Sequence, residues 1–92
     1  MYSIVYTKKM KRDVKRMKKR GKDLSKLITT LDLLLSGMPM PQKYQDHLLK
    51  GEMRGYRECH IEPDWLLVYR IVHDELILLA SATGTHSDLF DE

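Results

Sequence analysis

Ninety-two residues with 42% apolar side chains can build one small core, so residues 1–92 are read as a single domain with no room for a deep cofactor pocket. The net charge of +3 is unevenly spread: residues 1–35 hold 11 Lys/Arg against 3 Asp/Glu, a balance of +8, and residues 36–92 hold 5 against 10, a balance of −5. A single cysteine excludes an intrachain disulfide and suits a reducing cytoplasm, and no apolar run approaches a membrane span.

The opening residues, Tyr2 to Tyr6, are β-branched and aromatic and predict a short strand rather than a signal peptide. Thr7 is placed to cap a helix running to about Arg20, with a thin apolar stripe of Met10, Val14 and Met17. Ten basic residues between Lys8 and Lys22 fill its remaining positions. Such a face attracts phosphate backbones by releasing counterions, with Lys8, Lys11 and Lys15 as candidate contacts. An acidic protein partner or a merely solvated face would account for it as well.

Gly21 breaks that helix, and Asp23 caps a second one whose Leu24, Leu27, Ile28, Leu31, Leu34 and Leu35 recur at steps of three and four. Gly37, Pro39 and Pro41 end it. Residues 38–54 are expected to connect, with His47 among them. From Gly55 to Ile61 the chain alternates, placing Tyr56, Glu58 and His60 on one face and Arg57, Cys59 and Ile61 on the other. Glu62-Pro63-Asp64 makes a turn. Trp65 to Ile71 reads as a central strand buried on both sides, His73-Asp74 as a second turn, Glu75 to Thr83 as a third strand, and Thr85 to Glu92 as a tail. The order β-α-α-β-β-β implies an α+β domain: an antiparallel sheet with a helical hairpin on one face and no cover within the chain on the other.

Cleaving RNA through its 2′-hydroxyl requires a base, an acid and cations around the phosphorane. Histidine suits both proton roles. His60 and Asp64 flank one turn, His86 follows the last strand, and His47 precedes the sheet. A third strand running back beside Trp65–Ile71 would bring His86 to the same end. His73, at the opposite turn, is given no role. Trp65 and Phe90 are candidates for stacking on a base, with core packing as the alternative. Arg54 and Arg57 can pair with phosphate. Cys59 reads as a small buried hydrophobe, with a catalytic thiol as the alternative. No close pair of metal ligands, Gly-rich phosphate loop or G-x-S-x-G elbow is present, so neither metal nor cofactor is expected.

Three segments together carry a family likeness. Tyr44-Gln45-Asp46-His47-Leu48-Leu49-Lys50-Gly51, Gly55 through Trp65 with its His60-Ile61-Glu62-Pro63-Asp64-Trp65 turn, and Thr83-Gly84-Thr85-His86-Ser87-Asp88-Leu89-Phe90 resemble the YafQ toxins of the RelE superfamily. The resemblance covers nearly the whole chain, the basic hairpin included. It implies a RelE-like fold and a toxin that cleaves mRNA on the 70S ribosome, against ribosomal RNA, and so blocks translation. It also implies neutralisation by a cognate DinJ- or RelB-like antitoxin, in a heterotetramer with an antitoxin dimer. Carried over, His47, His60, Asp64 and His86 are the catalytic set, with a contribution from Phe90: His86 as general acid, Asp64 or His60 as base, His47 supporting the transition state. One departure stands out, Ala82 where such toxins often carry arginine. The competing readings are a gyrase-directed, ParE-like toxin without RNA chemistry and a non-catalytic basic module that binds a protein or DNA partner.

Overall fold

The computed structural model describes residues 2–72 and 77–90. The expected turn at His73-Asp74, and the expected first residues of the last strand, Glu75 and Leu76, lie outside them.

The N-terminal half follows its local signals. Strand β1 (Ser3–Tyr6) leads into helix α1 (Lys8–Lys19). The Thr7 hydroxyl accepts from the Met10 amide at 3.0 Å and donates to the Ser81 carbonyl at 2.8 Å, fixing the helix start to the last strand. Met10 and Met17 are buried as the stripe predicts. Asp13 is buried too, and its carboxylate accepts from Lys9, Arg16 and the Thr83 amide. A buried carboxylate is tolerable only with such partners. Gly21, at φ +84°, turns the chain into α2 (Leu24–Leu35), capped by Asp23. Leu27, Leu31 and Leu34 enter the core, whereas Ile28 stays exposed.

The C-terminal half is the expected meander: β3 (Arg57–Glu62), β4 (Trp65–Val72) and β5 (Ile77–Gly84), each antiparallel to its neighbour. Two further strands complete a five-stranded sheet in the order β1-β5-β4-β3-β2. Strand β1 pairs parallel with β5, and a two-residue strand β2 (His47–Leu48), inside the segment read as a connector, pairs with β3. The expected tail holds a short helix, α3 (His86–Phe90).

Trp65, Leu67, Tyr69, Leu78, Ala80 and Cys59 face α1 and α2 and form the core with them. Trp65 Nε1 donates to Thr83 Oγ1 at 2.9 Å, and that hydroxyl donates to the Leu66 carbonyl at 2.6 Å. The second sheet face is not bare, contrary to the sequence reading. Leu66 and Val68 point away from the helical hairpin, yet are only 0% and 1% exposed. Helix α3 packs against β5, and a cleft on this side is walled by Leu49, Met53 and Phe90. Among the described residues no helix is long and apolar enough to cross a membrane.

Candidate active site

Strand register brings the candidates together. Pro63 and Asp64 form a tight turn between Glu62 and its partner Trp65. On β4, Leu66 pairs with His60 on one side and Gly84 on the other. The chain leaving β5 at Gly84 therefore passes beside the β3–β4 turn, and His86 meets Asp64. On the far side of β3, His47 pairs with Glu58.

The result is a row of three imidazoles. The ring centroids of His47 and His60 are 6.5 Å apart, and those of His60 and His86 are 5.8 Å apart. His86 Nδ1 lies 2.7 Å from Asp64 Oδ1, and the His86 amide donates to the same oxygen at 3.0 Å. These two bonds, the backbone one foremost, hold the Asp64 carboxyl below the usual carboxylate range. The carboxylate makes Nδ1 the protonated nitrogen of His86. His60 Nδ1 faces the Pro63 carbonyl at 3.3 Å and His47 Nδ1 faces the Gln45 carbonyl at 2.7 Å. A carbonyl can only accept, so both rings carry hydrogen on Nδ1.

Between them sits Glu58, a residue the sequence reading placed on the right face without giving it a role. It is buried, 3.7 Å from His60 Nε2 and 3.9 Å from His47 Nε2. Alternation on β3 was the available signal: a carboxylate two residues from His60 must share its face. The cleft of about 410 Å³ is lined by His47, His60, His86, Glu58 and Phe90, with Leu49, Met53 and Lys50 at its wall. Lys50 is a second cleft residue to which the sequence assigns no role. Ligand atoms of Glu58, His60 and His86 lie within 4.8 Å of one another. The sequence showed no close ligand pair because this set is assembled by strand pairing and α3.

Several sequence candidates fall elsewhere. Arg57 points to the helix side, where it is bonded to Asp46 through Nε at 2.7 Å and Nη2 at 2.6 Å, with Tyr69 on the other carboxylate oxygen. There its guanidinium is engaged by Asp46 and stands on the face opposite His60. Trp65, fully buried and bonded to Thr83, cannot stack on a base. Lys11 and Lys15 border a separate apolar groove between α1 and α2, with Lys8 exposed in the first turn of α1. Arg54 is exposed beside Met53 at the cleft wall. Cys59 is buried on the helix side, where desolvation, then the charges of Asp46 and Glu58, push its thiol up to about 12, which leaves it inert. Ala82 stands beside Val68 in the same cross-strand row as Glu58, so the family arginine would have entered this face.

The chain is similar to known toxins over nearly its whole length. The family model described as "Bacterial toxin of type II toxin-antitoxin system, YafQ" matches residues 2–91. The chain is 42% identical over 88 residues to the mRNA interferase toxin YafQ of Escherichia coli K12, covering 95% of this chain and 94% of that protein. YafQ in the crystal structure of the E. coli DinJ-YafQ complex superposes with TM-score 0.89 at 40% identity, covering 98% of this chain and 99% of that one. A metal-bound toxin from Helicobacter pylori superposes with TM-score 0.92 at 42% identity, covering 98% and 100%.

Proposed function

The chain belongs to the YafQ family of type II toxin–antitoxin toxins, and on that premise we propose that it is a ribosome-dependent endoribonuclease that cuts mRNA by internal attack of the 2′-hydroxyl. The observation that carries the reading is the 2.7 Å contact of His86 with Asp64, in a cleft where the His86 and His60 ring centroids are 5.8 Å apart.

The roles follow from the bonds. Asp64 holds His86 by Nδ1, so Nε2 is the nitrogen that passes a proton to the leaving 5′ oxygen, and the carboxylate stabilises the positive charge an acid must carry. That commitment separates the two candidates for base. Asp64 is engaged and held ionised, a weak proton acceptor, whereas His60 presents Nε2 towards the cleft. His60 therefore takes the 2′ proton, and Glu58 beside it offsets the charge gained. His47 flanks the phosphate on the other side of Glu58. Lys50 and Arg54 supply cations on the cleft side, where Ala82 offers none. Phe90 stacks on a neighbouring base.

This chemistry needs no metal. A divalent ion held by Glu58, His60 and His86 would occupy the atoms that exchange protons, so it inhibits rather than activates. One shallow domain orients RNA poorly by itself, and the ribosome supplies the alignment, which places the action in the cytoplasm. The E. coli relative's complex with DinJ supports a cognate antitoxin as the second partner.

The test is cell-free translation of a defined message, with cuts mapped by primer extension. The wild type should cut within codons on translating ribosomes, EDTA should leave cutting intact in ribosomes kept in sufficient magnesium, and His86→Ala should abolish it while remaining folded. Full cleavage by His86→Ala removes His86 from the mechanism. Unaffected translation with altered DNA supercoiling would move the protein to a gyrase-directed class.

A further inference from the structure

Helix α3 carries both His86 and Phe90, yet it has only five residues and none of them is buried. A helix so short has no stability of its own, so its orientation is set by whatever ties it down. Besides its packing against β5, one tie is the contact of His86 with Asp64. Another lies at Asp88, two residues further along the helix. Arg20, which ends α1, reaches Asp88 with both terminal guanidinium nitrogens: Nη1 to Oδ2 at 2.5 Å and Nη2 to Oδ1 at 2.9 Å. Asp88 is also the reciprocal partner of Thr85. It accepts from the Thr85 amide at 2.9 Å, while its own amide donates to the Thr85 hydroxyl at 3.1 Å. The carboxylate that caps α3 is therefore the one Arg20 grips. Its side chain is 13% exposed, against 42% for Arg20.

We propose that Arg20 is a positioning residue for the cleavage reaction: by its two-point grip on Asp88 it fixes α3 to the basic helical hairpin, and so sets where the His86 ring and Phe90 stand in the cleft. The proposal rests on the nuclease reading above. It withdraws Arg20 from the ten basic residues read as a phosphate-attracting face and gives it work 68 positions away in sequence. The planar fork matters. Lysine at the same place keeps the charge but makes one contact, leaving α3 able to pivot about Asp88.

The experiment separates positioning from attraction of RNA. Arg20→Ala should lower kcat about 10- to 100-fold, the loss expected of a sub-ångström to ångström misplacement, with KM changed less than about threefold. Arg20→Lys should recover only part of kcat. Asp88→Asn approaches the same contact from the other side, and the double variant should be no worse than the poorer single one. A rise in KM at unchanged kcat, fully reversed by lysine, would make Arg20 an RNA contact and overturn the proposal. So would additive effects of the two single variants. A second readout needs no RNA: the proton NMR signal of His86 Nδ1–H bonded to Asp64 should shift or broaden in folded Arg20→Ala. An unchanged signal overturns the positioning role even if the wild type proves not to cut mRNA, whereas a shifted signal in a protein that cuts nothing upholds the tether and sinks the nuclease reading instead.

Discussion

Gly84 is the position where one methyl group should disable the site without unfolding the protein. A Cβ there would lie 2.9 Å from Asp88 Cβ, 3.0 Å from Asp88 Oδ2 and 3.3 Å from Arg16 Nη2, where ordinary contact begins at 3.4 Å. The nearest atom is a Cβ, which no side-chain rotation can move, so the backbone of α3 must retreat by about half an ångström. His86 is two residues from Asp88 on the same short helix and moves with it. If a 1 Å error costs about 100-fold in rate, half of it costs about 10-fold. Overpacking of this kind costs about 1–3 kcal/mol, offset by about 0.4–1 kcal/mol because alanine restricts the unfolded chain. A net loss of about 1 kcal/mol lowers Tm by about 4–8 °C in a domain of this size. The assay is kcat on a defined message in cell-free translation, paired with a circular-dichroism melt. Gly84→Ala with wild-type kcat and an unshifted melt would show that α3 has slack, and would refute the argument that its placement governs the reaction.

Acid should loosen the same helix. The Arg20 guanidinium, followed by the Thr85 amide and hydroxyl, holds the Asp88 carboxyl well below the usual carboxylate range. A depressed carboxyl stabilises the fold above its unfolded value, about pH 4, and loses that contribution as pH falls towards the native value. Urea midpoints should therefore separate wild type from Asp88→Asn at neutral pH and converge in acid; a constant gap would assign the difference to something other than this ionisation. Trp65→Phe should cost about 1–2 kcal/mol through the lost bond to Thr83, read as a lower Tm, while cleavage by the folded protein is unchanged; loss of cleavage at full stability would return Trp65 to the substrate. Iodoacetamide at about pH 8 should leave Cys59 unlabelled in the native protein, because its thiol is buried and pushed up to about 12; rapid labelling detected by mass would contradict that burial.

Local chemistry made most of the framework readable. Thr7, Gly21, Asp23 and Gly37 punctuate the hairpin where they should, and the apolar run from Trp65 does form the strand buried on both faces. What escaped was short or long-range. Two residues, His47 and Leu48, cannot display a period, and β2 exists because β3 offers an edge. The parallel pairing of β1 with β5 joins residues more than seventy positions apart, which no window of sequence records. Helix α3 did leave a trace, since Thr85 and Asp88 stand at capping-box spacing, but an apolar face too small to show periodicity hid it. The site was legible as a set of residue types. The separation of Arg57 from His60 was legible too, in the alternation of β3. The partner that engages Arg57 was not, because Asp46 approaches through a loop.

That alternation has a further consequence for how the chain tolerates change. Along β3, Glu58 and His60 face the cleft while Cys59 faces the core, and the pairing irregularity between His60 and Glu62 closes the ladder just before the turn. An insertion or deletion of one residue upstream of this point, with strand pairing kept, would turn the ribbon over. Cysteine would then look out to solvent, and an imidazole and a carboxylate would be driven under the helical hairpin. Length variation between homologous chains should accordingly collect in the loops on either side of β3 and avoid the strand itself, because there a single codon gained or lost exchanges the cleft and core faces at once.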